Sequence, residues 1–224
     1  MPGRTTPFTG TLQPEEDYDG LAFQDLDLIG ARGASARFLE CVVEGCDLTS
    51  AVLAGSRWRE CSLTRVRGVG TDLTEASLVD VTVTDARLGA LAAYGSTWRR
   101  VIVRGGKIEF LNLRGASLRE VQFEDCVLIE PDVGDATLKD VTFSGCTLVG
   151  AQFHGAKLTA VDLSDARLLE PQGLTSCSSS PTRSPTSSAS PSAAEAHPLF
   201  RRAAPNALSL AETARFLTLG SWSG

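Results

Sequence analysis

The stretch Ala116-Ser117-Leu118-Arg119-Glu120-Val121-Gln122-Phe123-Glu124-Asp125-Cys126-Val127-Leu128-Ile129-Glu130 places a large apolar side chain at every fifth residue, at Leu118, Phe123 and Leu128. Followed in both directions, the series runs from Phe23 to Leu168 without a frame break. It covers 30 positions, of which 27 are large and apolar, and only Gly33, Gly68 and Ala93 lapse. The residue two places earlier in each unit is small or medium, as at Cys41, Cys46, Ala51, Ala116 and Val121. None of these 60 positions carries a charge, although 21% of the chain does. From composition alone the chance of that is roughly one in a million.

Neither a helix nor a strand repeats every five residues. Such a period describes one side of a square, with two inward residues and a corner of three outward ones. A longer period is nested inside it, because residues 20 apart are alike. One such set is Cys41, Cys61, Val81, Val101, Val121, Val141 and Val161; another is Ala36, Ser56, Ala76, Ser96, Ala116, Ala136 and Ala156. Stacked squares bury a continuous core that no single repeat could bury alone. Four sides per coil give about seven and a half coils, and a rod on the order of 36 Å long at ~4.8 Å per coil.

These residues closely resemble the pentapeptide-repeat family, whose pattern is Ala-(Asp/Asn)-Leu-X-X. Clear instances are Cys46-Asp47-Leu48-Thr49-Ser50, Thr71-Asp72-Leu73-Thr74-Glu75, Ala116-Ser117-Leu118-Arg119-Glu120 and Val161-Asp162-Leu163-Ser164-Asp165. The resemblance covers residues 21–170. It implies an all-β fold, a right-handed quadrilateral β-helix. It also implies a helical C-terminal segment that caps the rod or pairs two rods, although here a Ser/Pro insert intervenes.

Outside the repeat, residues 1–20 read as a flexible lead and an N-terminal cap over the first coil's open edge. Residues 171–204 read as a disordered linker, since 12 of the 18 residues in Thr175–Ser192 are Ser or Thr and three are Pro. Residues 205–224 read either as a short terminal helix or as a tail without a role. For the helix speak Ser209 and Glu212 as a capping box, Leu210, Ala214 and Leu217 on one face, and Gly220 as a stop.

Composition excludes several functions. The chain has 224 residues, 42% of them hydrophobic, and a net charge of −6. No apolar run approaches the roughly 20 residues that span a bilayer, and Met1–Pro7 lacks the apolar core of a secretory signal. The reading is therefore a cytoplasmic protein without membrane contact. An acidic chain with no basic tail is a poor nucleic-acid binder, so no direct nucleic-acid binding is expected. Two histidines, no Cys-X-X-Cys and no phosphate-binding glycine pattern leave no metal, cofactor or catalytic set to assign. His154 reads as a solvated corner residue. Five cysteines (Cys41, Cys46, Cys61, Cys126, Cys146) fall in the inward small slot and read as packed free thiols. Cys41/Cys61 and Cys126/Cys146 would stack close enough to bridge, but a reducing cytosol opposes it. Cys177 falls in the tail. Trp58 and Trp98 read as core, with Gly68, Gly70, Gly105 and Gly106 as turn glycines.

The outward columns carry the functional signal. Twenty-residue stacking aligns Glu40, Glu60, Asp80, Arg100, Glu120 and Asp140, beside Arg59, Arg99, Arg119 and Lys139. Another outward column is apolar at Ile29, Val69, Ile129, Val149 and Leu169, interrupted by Thr49, Gly89 and Glu109. Contiguous aliphatics at Ile129, Val149 and Leu169 suggest a surface covered by the tail helix or by a second copy, giving a homodimer. The leading expectation is a non-catalytic, rigid protein–protein interaction module with an unidentified protein partner. The alternative, implied by the resemblance, is a DNA mimic that occupies DNA gyrase. Such mimicry demands an unbroken negative surface, which Arg59, Arg99, Arg100 and Arg104 interrupt.

Overall fold

The computed structural model describes residues 5–173. The linker expected to 204, the terminal helix expected over 205–224 and Cys177 lie outside the described residues, apart from 171–173.

The chain forms the expected quadrilateral β-solenoid, with every strand pairing parallel and, beyond the first pair (Thr6 opposite Leu21), each residue opposite the one 20 positions on. On the first face Tyr18, Phe38, Trp58, Leu78, Trp98, Leu118, Leu138 and Leu158 stack level on level. Tyr18 lies in phase beneath Phe38, so the stack begins before residue 21. Phe8 closes the N-terminal end, with its ring 4.4 Å from Phe23 and 5.6 Å from Tyr18.

The first and second faces join in one 14-stranded sheet, and the third face makes a 6-stranded sheet. Single bridges alone hold the fourth face, from Arg32↔Val52 to Gln152↔Gln172. At three of its levels a local turn contributes. On this face Asp72, Asn112 and Asp132 accept hydrogen bonds from the backbone N–H two residues on, at 2.9, 3.1 and 2.8 Å. That turn tightens the side before it can extend. On the first face, by contrast, the strands Ser117–Glu124 and Thr137–Ser144 run around a corner unbroken.

The corners have their own clock. Every fifth residue from Glu15 to Glu170 has a positive φ, with Asp165 as the exception. In this left-handed conformation the corner N–H reaches a carbonyl in the next coil, as Glu40 does to Arg59 at 3.0 Å and Gly55 to Thr74 at 2.7 Å. The side chain is left pointing to solvent.

Inside, the large slots are filled by buried residues such as Phe23, Phe38, Leu118, Phe123, Leu138 and Leu163. Each such side chain contributes about 1.5–3 kcal/mol of burial. The three lapses are paired with aromatics. Phe38 follows Gly33 by one side, Trp98 follows Ala93 by one side, and Trp58 lies across the coil from Gly68. Around Gly68 the compensation is incomplete. A cavity of about 50 Å³ remains, lined by Leu48, Leu63, Leu73, Leu78, Leu88 and Trp98.

Candidate interaction surface

The acidic column of the first face is a column of corners. Glu40, Glu60, Asp80, Glu120 and Asp140 all have φ between 50° and 57°, so the backbone itself projects their carboxylates outward. Arg100 breaks the line. Its Nε and Nη2 donate to Asp80 Oδ1 and Oδ2, each at 2.5 Å, and this fork holds the Asp80 carboxyl below the usual carboxylate range. Arg59 lies 3.8 Å from Glu60 and Arg119 lies 3.2 Å from Glu120. Glu40 and Asp140 have no ion-pair partner among the described residues.

The apolar column of the third face divides in two. Ile129, Val149 and Leu169 sit side by side in register and are half-buried, since each covers the flank of the next. Lower on the rod Ile29 and Val69 stand out at 57% and 60% exposure. Sequence periodicity brings these residues into one column but does not distinguish a self-covering ladder from isolated projections.

Beside Val69 the third face is recessed. A groove of about 560 Å³ is lined by Asp47, Arg67, Val69, Arg87, Lys107 and Glu109, with Gly68, Gly89 and Gly106 in its walls. Gly70 and Gly105 are corner residues, with φ of 71° and 64°. Gly68 and Gly106 are not simple turn glycines as the sequence suggested; both occupy inward slots. A Cβ on Gly68 would lie 2.9 Å from the Leu48 carbonyl carbon and 3.0 Å from the Thr49 nitrogen, so only glycine permits this approach. The same contact region lets buried Thr71 donate its hydroxyl to the Leu48 carbonyl at 2.8 Å. The groove was missed in the sequence, although its signal was present: Gly68 interrupts the large inward series and Gly106 the small one.

Arg67, Arg87 and Lys107 are cross-strand neighbours on one wall. Arg67 donates to Asp47 at 3.0 Å, and Lys107 pairs with Glu109 at 2.5 Å. Asp47 is held below the usual range, first by the Thr49 hydroxyl and amide and then by Arg67.

The interior contains chemistry that is put to structural use. The five inward cysteines are buried free thiols. Cys61 donates to the Phe38 carbonyl at 3.4 Å and Cys126 to that of Val103 at 3.3 Å. Hydrogen bonding to Cys41 and to Cys146, together with burial, pushes the Cys61 and Cys126 thiols up; burial raises Cys46. Thiols held protonated are poor nucleophiles. Among the described residues no three His, Cys, Asp or Glu converge as a metal site. His154 is exposed at a corner. Among the described residues no helix is long and apolar enough to cross a membrane.

Comparison with a protein-family model agrees with this architecture. The family model of pentapeptide repeats matches in eight copies, over residues 46–88, 110–145 and 136–168. Among solved structures, full-length QnrB1, described as a plasmid-mediated fluoroquinolone resistance protein, is 15% identical with a TM-score of 0.41. The match covers 69% of this chain and 92% of that one. HetL, a pentapeptide repeat protein involved in heterocyst differentiation regulation from the cyanobacterium Nostoc sp. strain PCC 7120, is 15% identical with a TM-score of 0.33, over 74% of this chain and 90% of its own. Rfr23, a pentapeptide repeat protein from the cyanobacterium Cyanothece 51142, is 14% identical with a TM-score of 0.18, over 70% and 84%. No curated protein matches the sequence.

Proposed function

We propose that this chain, a member of the pentapeptide-repeat family, acts as a rigid, non-catalytic module that binds another protein. The observation that carries the reading is the lattice of outward side chains. Strand pairing fixes charged and apolar residues in columns, ~4.8 Å from one level to the next, on a core that leaves them little freedom to rearrange. A partner meeting such a surface loses little to ordering it, which favours specific association. The ten ion pairs among the described residues, all between partly or well exposed side chains, add only tenths of a kcal/mol each to the rod, so their pattern serves recognition more than stability. Buried free thiols suit a reducing cytoplasm, where we place the protein. The full chain, immobilised and exposed to extract of its own cells, is expected to retain a partner in stoichiometric amount. Retention of none would overturn the reading. The ladder Ile129, Val149 and Leu169 is the proposed contact for a second copy. Val149→Glu is expected to lower the solution mass of the native chain, and an unchanged mass and melting temperature would remove that contact.

A second reading, DNA mimicry toward DNA gyrase, draws on charge. Residues 16–170 hold 16 basic and 24 acidic side chains, a net charge of −8. The acids crowd toward the C-terminal third at Glu120, Glu124, Asp125, Glu130, Asp132, Asp135 and Asp140. Against it, Arg100 neutralises Asp80 in the middle of the best column. Mimicry requires salt-sensitive inhibition of gyrase supercoiling at micromolar concentration or below, lost in Glu120→Lys/Asp140→Lys. A flat response would eliminate it.

A further inference from the structure

The geometry points to the groove on the third face as the docking site for an extended, acidic segment of a partner protein, with Arg87 as its charge anchor and Val69 and Phe110 as its apolar anchors. This rests on the reading of the chain as a protein-binding module and names the surface and the chemistry of its partner.

Three observations converge. The first is an uncompensated charge. Arg67, Arg87 and Lys107 stand one above another, and like charges directly across a sheet repel. The outer two are neutralised, by Asp47 and Glu109. Arg87, between them, makes no ion pair or side-chain hydrogen bond among the described residues, so the wall carries one cation for which an external carboxylate is the natural complement.

The second is the recess itself. Gly89 brings no side chain to the outer face between Val69 and Glu109, and the backbone at Gly68 and Gly106 forms part of the wall, so a peptide can approach the backbone here.

The third is Phe110, one residue beyond the groove-lining Glu109. Phe110 is a corner residue with φ of 53° and 53% exposure. A side chain in the left-handed conformation costs roughly 1–2 kcal/mol, and a bulky one is a genuine outlier. The corners stacked with it are Gly30, Ser50, Gly70, Ala90, Glu130, Gly150 and Glu170, none of them aromatic. Phe110 thus bears the strain with only about half of its surface buried. An aromatic half exposed at a strained corner gains little from the rod, and a second molecule that covers it supplies the missing burial.

The same charges select the partner's class. The net charge of −8 over residues 16–170 repels a polyanion such as duplex DNA. A peptide with a few carboxylates among apolar residues satisfies Arg87 and covers Val69 and Phe110 together.

The test uses the full chain and a fluorescently labelled peptide alternating glutamate with leucine. Controls are a lysine–leucine peptide and a labelled DNA duplex. The wild type is expected to bind the acidic peptide and neither control. Arg87→Gln should weaken binding several-fold and Arg87→Glu at least tenfold, with unchanged melting temperatures, because Arg87 is exposed. Phe110→Gly should weaken binding several-fold while raising the melting temperature, an opposition that a merely structural role would not give. Val149→Glu should leave the affinity unchanged. No binding of the acidic peptide, equal binding by Arg87→Glu, or equal binding of either control would overturn the proposal. Extract retention separates the two readings. If the wild type and Arg87→Glu retain the same partner equally, the groove is wrong and the module stands; if the wild type retains nothing, the module itself fails.

Discussion

The coils from Leu111 to Leu158 and those from Cys61 to Phe110 follow one repeat yet differ in quality. In the upper group every large inward slot is filled and buried, from Leu113 through Phe123 and Phe143 to Leu158. Phe123 and Phe143 stack at 4.8 Å with planes 2° apart, and only about 10 Å³ of empty space remains. In the middle group Gly68 and Ala93 lack large side chains, while Leu63, Leu73 and Leu88 are only partly buried. A cavity of about 50 Å³ persists there. Leu88 lines both that cavity and the outer groove, so a single missing inward side chain is felt on both sides of the wall. Regular repetition therefore yields a rod, and the lapses in it yield places where a partner can fit.

The largest test of this contrast is truncation. Phe123→Ala is expected to cost about 3–5 kcal/mol in urea unfolding, because its tightly packed surroundings cannot collapse onto the void. Leu88→Ala, already beside empty space, should cost about 2 kcal/mol or less. Equal costs would abolish the distinction between the two regions. Next comes Gly68→Ala. A simple cavity-filling view expects stabilisation, but the added Cβ meets Leu48 and Thr49 backbone and not the cavity. A loss of about 1–3 kcal/mol is expected.

The two buried tryptophans sharpen the comparison at a smaller scale. Trp58 donates its Nε1–H to Ser56 Oγ at 2.8 Å. Trp98 has a serine in the same relative place, but Ser96 donates its hydroxyl to the Ala93 carbonyl at 2.5 Å, and Trp98 Nε1 has no partner among the described residues. An unpaired buried donor is a cost that phenylalanine removes, whereas losing a made bond leaves Ser56 unsatisfied. Trp98→Phe should therefore be milder than Trp58→Phe by about 1 kcal/mol in the same unfolding assay.

The smallest effect is electrostatic. Arg100 depresses the folded-state pKa of Asp80, so the pair's contribution is present above the ordinary carboxylate pKa and fades as pH falls through the lower folded value. Asp80→Asn should flatten the acid limb of the stability curve slightly, and 1 M salt should shrink the difference.

Much of this architecture was legible in the sequence because it rests on a period. Leu48, Leu118 and Phe143 point inward, and the twenty-residue nesting reappears as strand register. The left-handed corners were hidden. Gly, Asp, Glu and Ser at every fifth position read as solvated residues, and polarity alone does not reveal the sign of φ. The groove was hidden for a different reason. Gly68 looked like punctuation, and its effect depends on Trp58 across the coil, Leu48 below and Leu88 above, which a one-dimensional count does not combine. Likewise the half-burial of Ile129, Val149 and Leu169 arises from mutual cover between coils.

Native-state amide hydrogen exchange, resolved strand by strand, tests the contrast most directly. Fewer packed neighbours should let the middle coils open locally at lower cost. The amides of Arg67–Val69 and Arg87–Gly89 are expected to exchange at least tenfold faster than those of Ser117–Glu124 and Thr137–Ser144. Uniform protection along the rod, or faster exchange in the upper strands, would contradict a tight upper rod joined to a loosened, recessed middle.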